Sequence, residues 1–91
     1  MTAQRREIWY QGDVQGVGFR YTVTRTAQQF AVTGFVRNLS DGRVHLVCEG
    51  AAAELDAFLG EIANRMAAFI RDTQEDRRPA TGAFSRFEIR H

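Results

Sequence analysis

The sequence contains no lysine, so all twelve of its basic residues are arginine. The phosphate-binding loop of P-loop nucleotide hydrolases needs a lysine directly after its glycines, and this chain therefore does not carry that motif. A basic side chain that contacts a phosphate group here must be an arginine or a histidine. Arginine suits such a contact, because its planar guanidinium donates two parallel hydrogen bonds.

Cysteine and long apolar runs are also scarce. Cys48 is the only cysteine, which excludes an intramolecular disulfide and a metal site built from several thiolates. The first nine residues, MTAQRREIW, lack the apolar centre of a secretory signal, and no apolar run approaches the length of a membrane span. We therefore expect a reduced, cytoplasmic protein with no membrane partner.

A strong charge of either sign is absent too, because the formal net charge is only +1. Such a chain has no global field that attracts DNA, RNA or anionic lipid, and we expect no nucleic-acid partner. A length of 91 residues allows one small domain with one core. We therefore interpret residues 1–91 as a single domain and expect it to be a monomer.

Apolar periodicity predicts strands and helices in the order β-α-β-β-α-β, followed by a short extra C-terminal strand. The predicted strands are Glu7–Val14, Phe35–Leu39, Arg43–Glu49, a segment within Ala67–Thr73, and a last one that contains Phe87 and Ile89. The predicted helices run from Phe19 to Phe30 and along the stripe Leu55, Phe58, Leu59, Ile62 and Met66. Residues 73–82, TQEDRRPATG, are expected to be irregular. This order predicts an α+β fold, the ferredoxin-like sandwich, in which two helices cover one face of a largely antiparallel sheet.

Residues 12–20, GDVQGVGFR, place three glycines and an arginine between the first strand and the first helix. A glycine-rich turn at a helix N-terminus aims backbone N–H groups into a concavity, and the helix dipole adds partial positive charge. Arg20 lies in the first helical turn, so its guanidinium can fold back over the same concavity. The segment is typical of an anion site, and the alternative is an ordinary strand-to-helix turn with a solvated arginine.

Residues 37–42, RNLSDG, form the second candidate segment. Val36 is expected to point toward the helices, so Asn38, two residues further along, lies at the rim of the same sheet face. The alternative is that Asn38 bonds its own backbone, as asparagine often does before a turn. Asp41-Gly42 is a strong signal for a hairpin turn.

Together, these two segments resemble the two signatures of the acylphosphatase family. The first signature corresponds to GDVQGVGFR at residues 12–20, and the second to GFVRN at residues 34–38 followed by DGRV at residues 41–44. The spacing between them agrees, and the resemblance covers nearly the whole chain, including Phe87-Glu88-Ile89. It implies a ferredoxin-like fold and hydrolysis of small acyl phosphates to carboxylate and inorganic phosphate, without a metal or any other cofactor.

The resemblance also implies roles for individual residues. Arg20 corresponds to the family's essential arginine, and Asn38 corresponds to its essential asparagine. Phosphate would then be bound by the Arg20 side chain and by N–H groups of the loop residues Gln15, Gly16, Val17, Gly18, Phe19 and Arg20, while Asn38 orients the attacking water. One departure is that Asn64-Arg65-Met66-Ala67 stands where many relatives have a Gly-Pro turn, and the strand that follows is hard to place.

The histidines and aromatic residues allow other interpretations. His45 alternates with Val44 and Leu46, which predicts a surface position rather than a catalytic one. Trp9 and Phe35 are expected on the sheet face opposite the helices, where they could form an exposed aromatic patch.

Two rival hypotheses follow from such a patch. RNA-recognition modules stack bases on aromatic residues of a ferredoxin-like sheet, but the strand VHLVCE has no aromatic residue and the net charge is small. A non-catalytic interaction module is the other rival, and the presence of both Arg20 and Asn38 disfavours it. The fold alone does not decide between these functions.

Overall fold

The computed structural model describes residues 3–91, and its elements follow the predicted order. They are β1 (Gln4–Gly12), α1 (Phe19–Ala27), β2 (Thr33–Asn38), β3 (Val44–Gly50), α2 (Ala52–Arg65), β4 (Ile70–Pro79) and β5 (Phe87–Arg90). The strands form one sheet in the order β4-β1-β3-β2-β5. All neighbouring strands are antiparallel except β2 and β5, which are parallel. The predicted ferredoxin-like α+β fold with an extra C-terminal strand is confirmed.

The core lies between the sheet and its two helices. Alternate residues of the central strands, such as Ile8, Val36 and Leu46, are almost fully buried and pack in one cluster with residues of both helices. Phe58 of α2 has no exposed surface, and its ring lies 6.0 Å from that of Phe30 and 5.7 Å from that of Phe87. Burial of one such side chain contributes about 1.5–3 kcal/mol to stability. The apolar side chains on this face of the sheet therefore favour packing of both helices against it.

Helix α1 ends at Ala27, three residues before the predicted end at Phe30. Beyond Ala27 the backbone tightens, because the N–H groups of Gln28, Gln29 and Phe30 bond the carbonyls three residues earlier. Phe30 still packs against the core although it lies beyond the end of α1. The apolar periodicity of the sequence therefore continues past the last residue of the helix. In the described part of the chain, neither helix is long and apolar enough to cross a membrane.

Strand β4 differs most from the sequence prediction. It spans Ile70–Pro79, whereas a strand was predicted within Ala67–Thr73 and residues 73–82 were predicted to be irregular. Its partner is β1, in a register that runs from Gln4 opposite Pro79 to Gly12 opposite Ile70. Neither helix covers this edge of the sheet, so most β4 side chains are exposed on both faces and show no apolar alternation.

The sheet face opposite the helices is covered, so the prediction of a surface position for His45 is wrong. Its side chain is only 7% exposed and stacks on Trp9 with 5.0 Å between ring centroids. Phe35 is also buried, and the ring of Phe84 lies 5.8 Å from it. Phe84, from the segment between β4 and β5, therefore covers the Phe35 part of the expected aromatic patch, and the Phe35 ring is not free to stack with a base.

A buried carboxylate holds that covering segment in place. Glu49 is 5% exposed and accepts hydrogen bonds from the backbone N–H groups of Thr81 and Gly82, both at 2.9 Å, and from the Thr81 hydroxyl at 2.8 Å. Burial raises the pKa of this carboxyl, but the donated hydrogen bonds outweigh it and the net pKa is lowered. Glu49 is therefore ionised at neutral pH and fixes residues 80–86 against the sheet.

Candidate active site

The glycine-rich loop joins the end of β1 to the start of α1. Gly16 and Gly18 have φ angles of 78° and 74°, in the left-handed region that side chains disfavour. Gly18 is the N-cap of α1, and its carbonyl accepts the hydrogen bond from the Thr22 N–H that opens the helix. A Cβ on either glycine would meet no protein atom within 4 Å, so backbone conformation, rather than crowding, requires glycine here.

Arg20 follows the loop in the first turn of α1, and its side chain is half-buried. One guanidinium nitrogen, Nη1, lies 3.4 Å from the carbonyl oxygen of Arg90 and 3.4 Å from Nδ1 of His91. Within the described residues, no carboxylate lies within salt-bridge distance of Arg20. The guanidinium thus retains its full charge and most of its donors for a ligand.

Asn38 is the last residue of β2, where it faces the same side of the sheet as Val36. Its side-chain Oδ1 is buried and has no hydrogen-bond partner among the described residues. The turn chemistry comes instead from Asp41, whose Oδ1 accepts a bond from the Arg43 N–H at 3.1 Å. An amide oxygen that is buried without a partner is costly, and it is the arrangement expected of an acceptor reserved for a ligand.

Gln15 joins the loop to the hairpin that carries Asn38. Its side-chain Nε2 donates to the carbonyl oxygens of Leu39 at 2.8 Å and Arg43 at 2.9 Å. These two residues flank the β2–β3 turn, and the Leu39 N–H also bonds the Arg43 carbonyl. The sequence interpretation used only the backbone N–H of Gln15, whereas the side chain fixes the loop beside the end of β2.

The loop, Arg20 and Asn38 meet at one cavity of about 180 Å³. Its lining consists of Val14, Gly16, Gly18, Phe19, Arg20, Tyr21, Asn38, Ile89 and His91. Of the residues predicted for the site, Gln15 and Val17 do not line this cavity, and Val17 is instead 38% exposed. Ile89 and His91 were not predicted as site residues, although the period of two along the last strand could have placed His91 on the face of Ile89.

The electrostatics of the cavity favour an anion. The first turn of α1 contains no acidic residue, so the positive end of the helix dipole is not compensated there. The nearest loop carboxylate, Asp13, pairs with Arg71 at 3.2 Å on the exposed side of the loop. Burial raises the pKa of the Cys48 thiol to about 12, so this cysteine stays protonated and does not act as a nucleophile.

Comparison with known proteins shows the family to which this chain is similar. The family model described as acylphosphatase matches residues 6–89. An acylphosphatase of Archaeoglobus fulgidus is 46% identical over 56 residues, which cover 62% of this chain and 63% of the relative, slightly less than two thirds. An acylphosphatase of Paenarthrobacter aurescens is 40% identical over 79 residues, covering 86% and 84% of the two chains.

Structural similarity extends over almost the whole chain. The crystal structure of acylphosphatase from Bacillus subtilis superposes with a TM-score of 0.87 at 30% identity, covering 97% of this chain and 99% of that one. The fold, the two signature segments and the family match agree with one another. The chain belongs to the acylphosphatase family of enzymes.

Proposed function

We propose that this protein hydrolyses the carboxyl–phosphate bond of acyl phosphates and releases a carboxylate and inorganic phosphate. The observation that carries the proposal is that Arg20 and Asn38 line one cavity with Gly16 and Gly18. Phosphoryl transfer needs positioning and charge stabilisation more than covalent chemistry. A cavity that combines a guanidinium, a helix N-terminus and an unpartnered amide oxygen offers both.

In this proposal the phosphoryl group is held by Arg20 and by backbone N–H groups of the loop. The guanidinium donates a forked pair of hydrogen bonds to two equatorial oxygens. The left-handed backbone at Gly16 and Gly18 allows successive N–H groups of the loop to face the same concavity. These donors strengthen as negative charge spreads over the equatorial oxygens in the transition state, and they therefore accelerate the chemical step as well as binding.

Asn38 positions the nucleophilic water. Its Oδ1 accepts a hydrogen bond from the water and aligns the water oxygen with the P–O bond that breaks. The new P–O bond forms as the bond to the acyl oxygen breaks, and the electron pair leaves with the carboxylate. Because an amide is a poor base, the proton of the water passes to a phosphate oxygen. A carboxylate is a good leaving group, so no covalent enzyme intermediate is needed.

We further propose that the reaction proceeds without a metal ion. Divalent cations that assist phosphoryl transfer prefer carboxylate oxygens, whereas the cavity lining contains no aspartate or glutamate. The positive charge of Arg20 occupies the position in which such a cation would neutralise the phosphoryl oxygens. The donor set therefore suits a phosphate group directly.

Benzoyl phosphate hydrolysis tests these assignments. Arg20→Ala should raise KM and lower kcat, with kcat/KM reduced by about 10²–10³-fold, the effect of removing a transition-state donor. Asn38→Ala should lower kcat but leave the inhibition constant of inorganic phosphate nearly unchanged, because Asn38 contacts the water. Activity of the unaltered protein should persist in EDTA.

Arg86→Ala and Asn64→Ala are matched controls, since both residues are exposed and neither lines the cavity. Wild-type turnover in Arg20→Ala would contradict the phosphate cradle. A large rise in the phosphate inhibition constant in Asn38→Ala would contradict the role in water positioning. Loss of activity in EDTA would contradict the metal-free reaction.

A further inference from the structure

Most arginines of this protein are neutralised by a neighbouring carboxylate, and the exceptions are informative. Nine of the twelve arginines lie within 4.0 Å of an aspartate or glutamate oxygen. These nine are Arg5, Arg6, Arg43, Arg65, Arg71, Arg77, Arg78, Arg86 and Arg90. Of the other three, Arg37 donates to His45 at 3.2 Å. Among the described residues, all three therefore have no acidic partner, and two of them, Arg20 and Arg25, lie on α1.

Arg25 is held in a defined position although it has no ion pair. Its guanidinium carbon lies 5.6 Å from the centroid of the Tyr21 ring, and Nη1 lies 3.4 Å from the Tyr21 hydroxyl. Cation–π attraction of this kind orients a guanidinium without neutralising its charge. Residues 21 and 25 are one helical turn apart, so the side chain of Arg25 is drawn back along α1 toward the phosphate cavity.

The space beside Arg25 is a polar cleft that adjoins the phosphate cavity. The cleft has a volume of about 340 Å³ and is lined by Tyr21, Thr22, Arg25, Gln28, Gln29 and Arg65. This lining contains two guanidinium groups and no carboxylate. Tyr21 is 61% exposed and lines both the cleft and the phosphate cavity, so the two spaces adjoin at this residue.

Arg65 also lines this cleft, and its guanidinium already has partners within the protein. Its Nη1 donates to the Thr26 hydroxyl at 3.0 Å, its Nη2 lies 3.3 Å from the Gln29 side-chain oxygen, and its Nε pairs with Glu61 at 3.2 Å. Arg25 is therefore the cation in the cleft that remains available to an incoming anion.

We propose that this cleft is a subsite for the acyl group, and that Arg25 binds a second anionic group carried by the acyl part of the substrate. The proposal rests on the function proposed above. With the phosphoryl group on Arg20, the acyl part crosses the exposed ring of Tyr21 and places its own carboxylate or phosphate beside Arg25. The substrates favoured by this protein are then acyl phosphates whose acyl group is itself an acid.

Two aromatic acyl phosphates of similar size test the subsite: 4-carboxybenzoyl phosphate and 4-methylbenzoyl phosphate, with 3-carboxybenzoyl phosphate as a second geometry. The measured quantity is the ratio of kcat/KM for a carboxylated substrate to kcat/KM for the methyl substrate. Arg25→Gln should lower this ratio by about fivefold, the size expected of a solvent-accessible ion pair. Arg25→Lys should retain part of the preference, and added salt should weaken it in the unaltered protein.

Arg86→Gln is the control for loss of one positive charge. Arg86 lies beside Gly34 at the start of β2, whereas Asn38 lies at its end, so this variant should leave the ratio unchanged. An unchanged ratio in Arg25→Gln for both carboxylated isomers would overturn the subsite while leaving the proposed hydrolysis intact. Failure of the unaltered protein to hydrolyse any of the three substrates would overturn the proposed function and the subsite with it.

Discussion

Gln15 shows how one side chain can set the geometry of a site that it does not line. Val14 and Phe19 anchor the two ends of the loop in the core, whereas an added Cβ at Gly16 or Gly18 between them would meet no protein atom within 4 Å. The two bonds from the Gln15 amide join the loop to the β2–β3 turn. We therefore expect the position of the exposed part of the loop relative to Asn38 to depend on Gln15.

Replacing Gln15 with leucine should test this dependence. The variant keeps a similar volume but loses both hydrogen bonds, and the free energy of unfolding should fall by about 1–3 kcal/mol. kcat for benzoyl phosphate should fall by about 10–100-fold, because a small misplacement of the water is sufficient for such a loss. Urea denaturation and steady-state kinetics measure the two effects.

The control for this prediction is Asp13→Asn, which removes an exposed ion pair with Arg71 on the other side of the loop. That change should alter stability and kcat little. A double-mutant cycle then separates positioning from general destabilisation. If Gln15 acts through Asn38, Gln15→Leu should reduce kcat less in an Asn38→Ala background than in the unaltered protein.

At the scale of single residues, the sequence predicted those features of the site that depend on a local sequence pattern. Arg20 and Asn38 were assigned because their two segments resemble the signatures of the acylphosphatase family, and the structure brings both residues to one cavity. The acceptors of the Gln15 side chain lie 24 and 28 residues away, and alternation carries no information about them. His45 was misassigned because its burial depends on side chains of neighbouring strands, Trp9 of β1 and Phe35 of β2, which alternation within β3 does not reveal.

At the scale of the elements, β4 shows why the order of strands and helices was predicted correctly whereas the end residues of some elements were not. Apolar alternation identified the strands that the helices cover, since burial on one face selects apolar residues at every second position. β4 lacks such a cover, so its sequence is that of an exposed loop although its backbone pairs with β1 over nearly its full length. Edge strands of this kind are recognisable only once their partner is known.

Two glycines in different elements should respond oppositely to alanine. Gly34 is the second residue of β2 and has a φ of 139°, and a Cβ there would lie 1.9 Å from the Val47 carbonyl oxygen. Gly34→Ala should destabilise the protein by more than about 3 kcal/mol, because backbone strain and a backbone clash add. Gly60 lies exposed within α2 with open space around it. Gly60→Ala should stabilise by about 0.5–1 kcal/mol.

Urea denaturation at constant pH measures both changes. Gly60→Ala serves as the control, since it adds the same methyl group at a position with an ordinary backbone conformation. A stable Gly34→Ala variant with an unchanged midpoint would show that β2 and β3 lie further apart at Gly34 than the structure has them.

For the molecule as a whole, the burial of His45 on the sheet face opposite the helices makes the free energy of unfolding depend on pH. Burial lowers the pKa of His45 below its ordinary value of 6.5; the hydrogen bond to Glu7 opposes this effect, and the nearby charge of Arg37 adds to it. The folded protein therefore binds a proton at His45 less readily than the unfolded chain. The stabilising contribution is complete above pH 6.5 and decreases as the pH falls through 6.5 toward the lower folded value.

The free energy of unfolding should accordingly be lower at about pH 5.5 than at about pH 7.5. Glu49 and Asp41 also have lowered pKa values, but their contributions are lost at more acidic pH. His45→Gln should remove most of the difference between the two pH values, whereas His91→Gln retains His45 and should keep it. An equal pH dependence in His45→Gln and the unaltered protein would assign the effect to another group.

The exposed character of β4 has a consequence for self-association. An edge strand presents unpaired backbone donors and acceptors that can template the sheet of a second molecule. Each face of β4 carries its own ion pair, Arg77 with Glu75 at 2.7 Å and Arg78 with Asp76 at 2.8 Å. A strand added at this edge would have to desolvate these charges. The exposed, charged sequence of β4 prevented its prediction as a strand. The same charges therefore protect the protein against edge-to-edge aggregation.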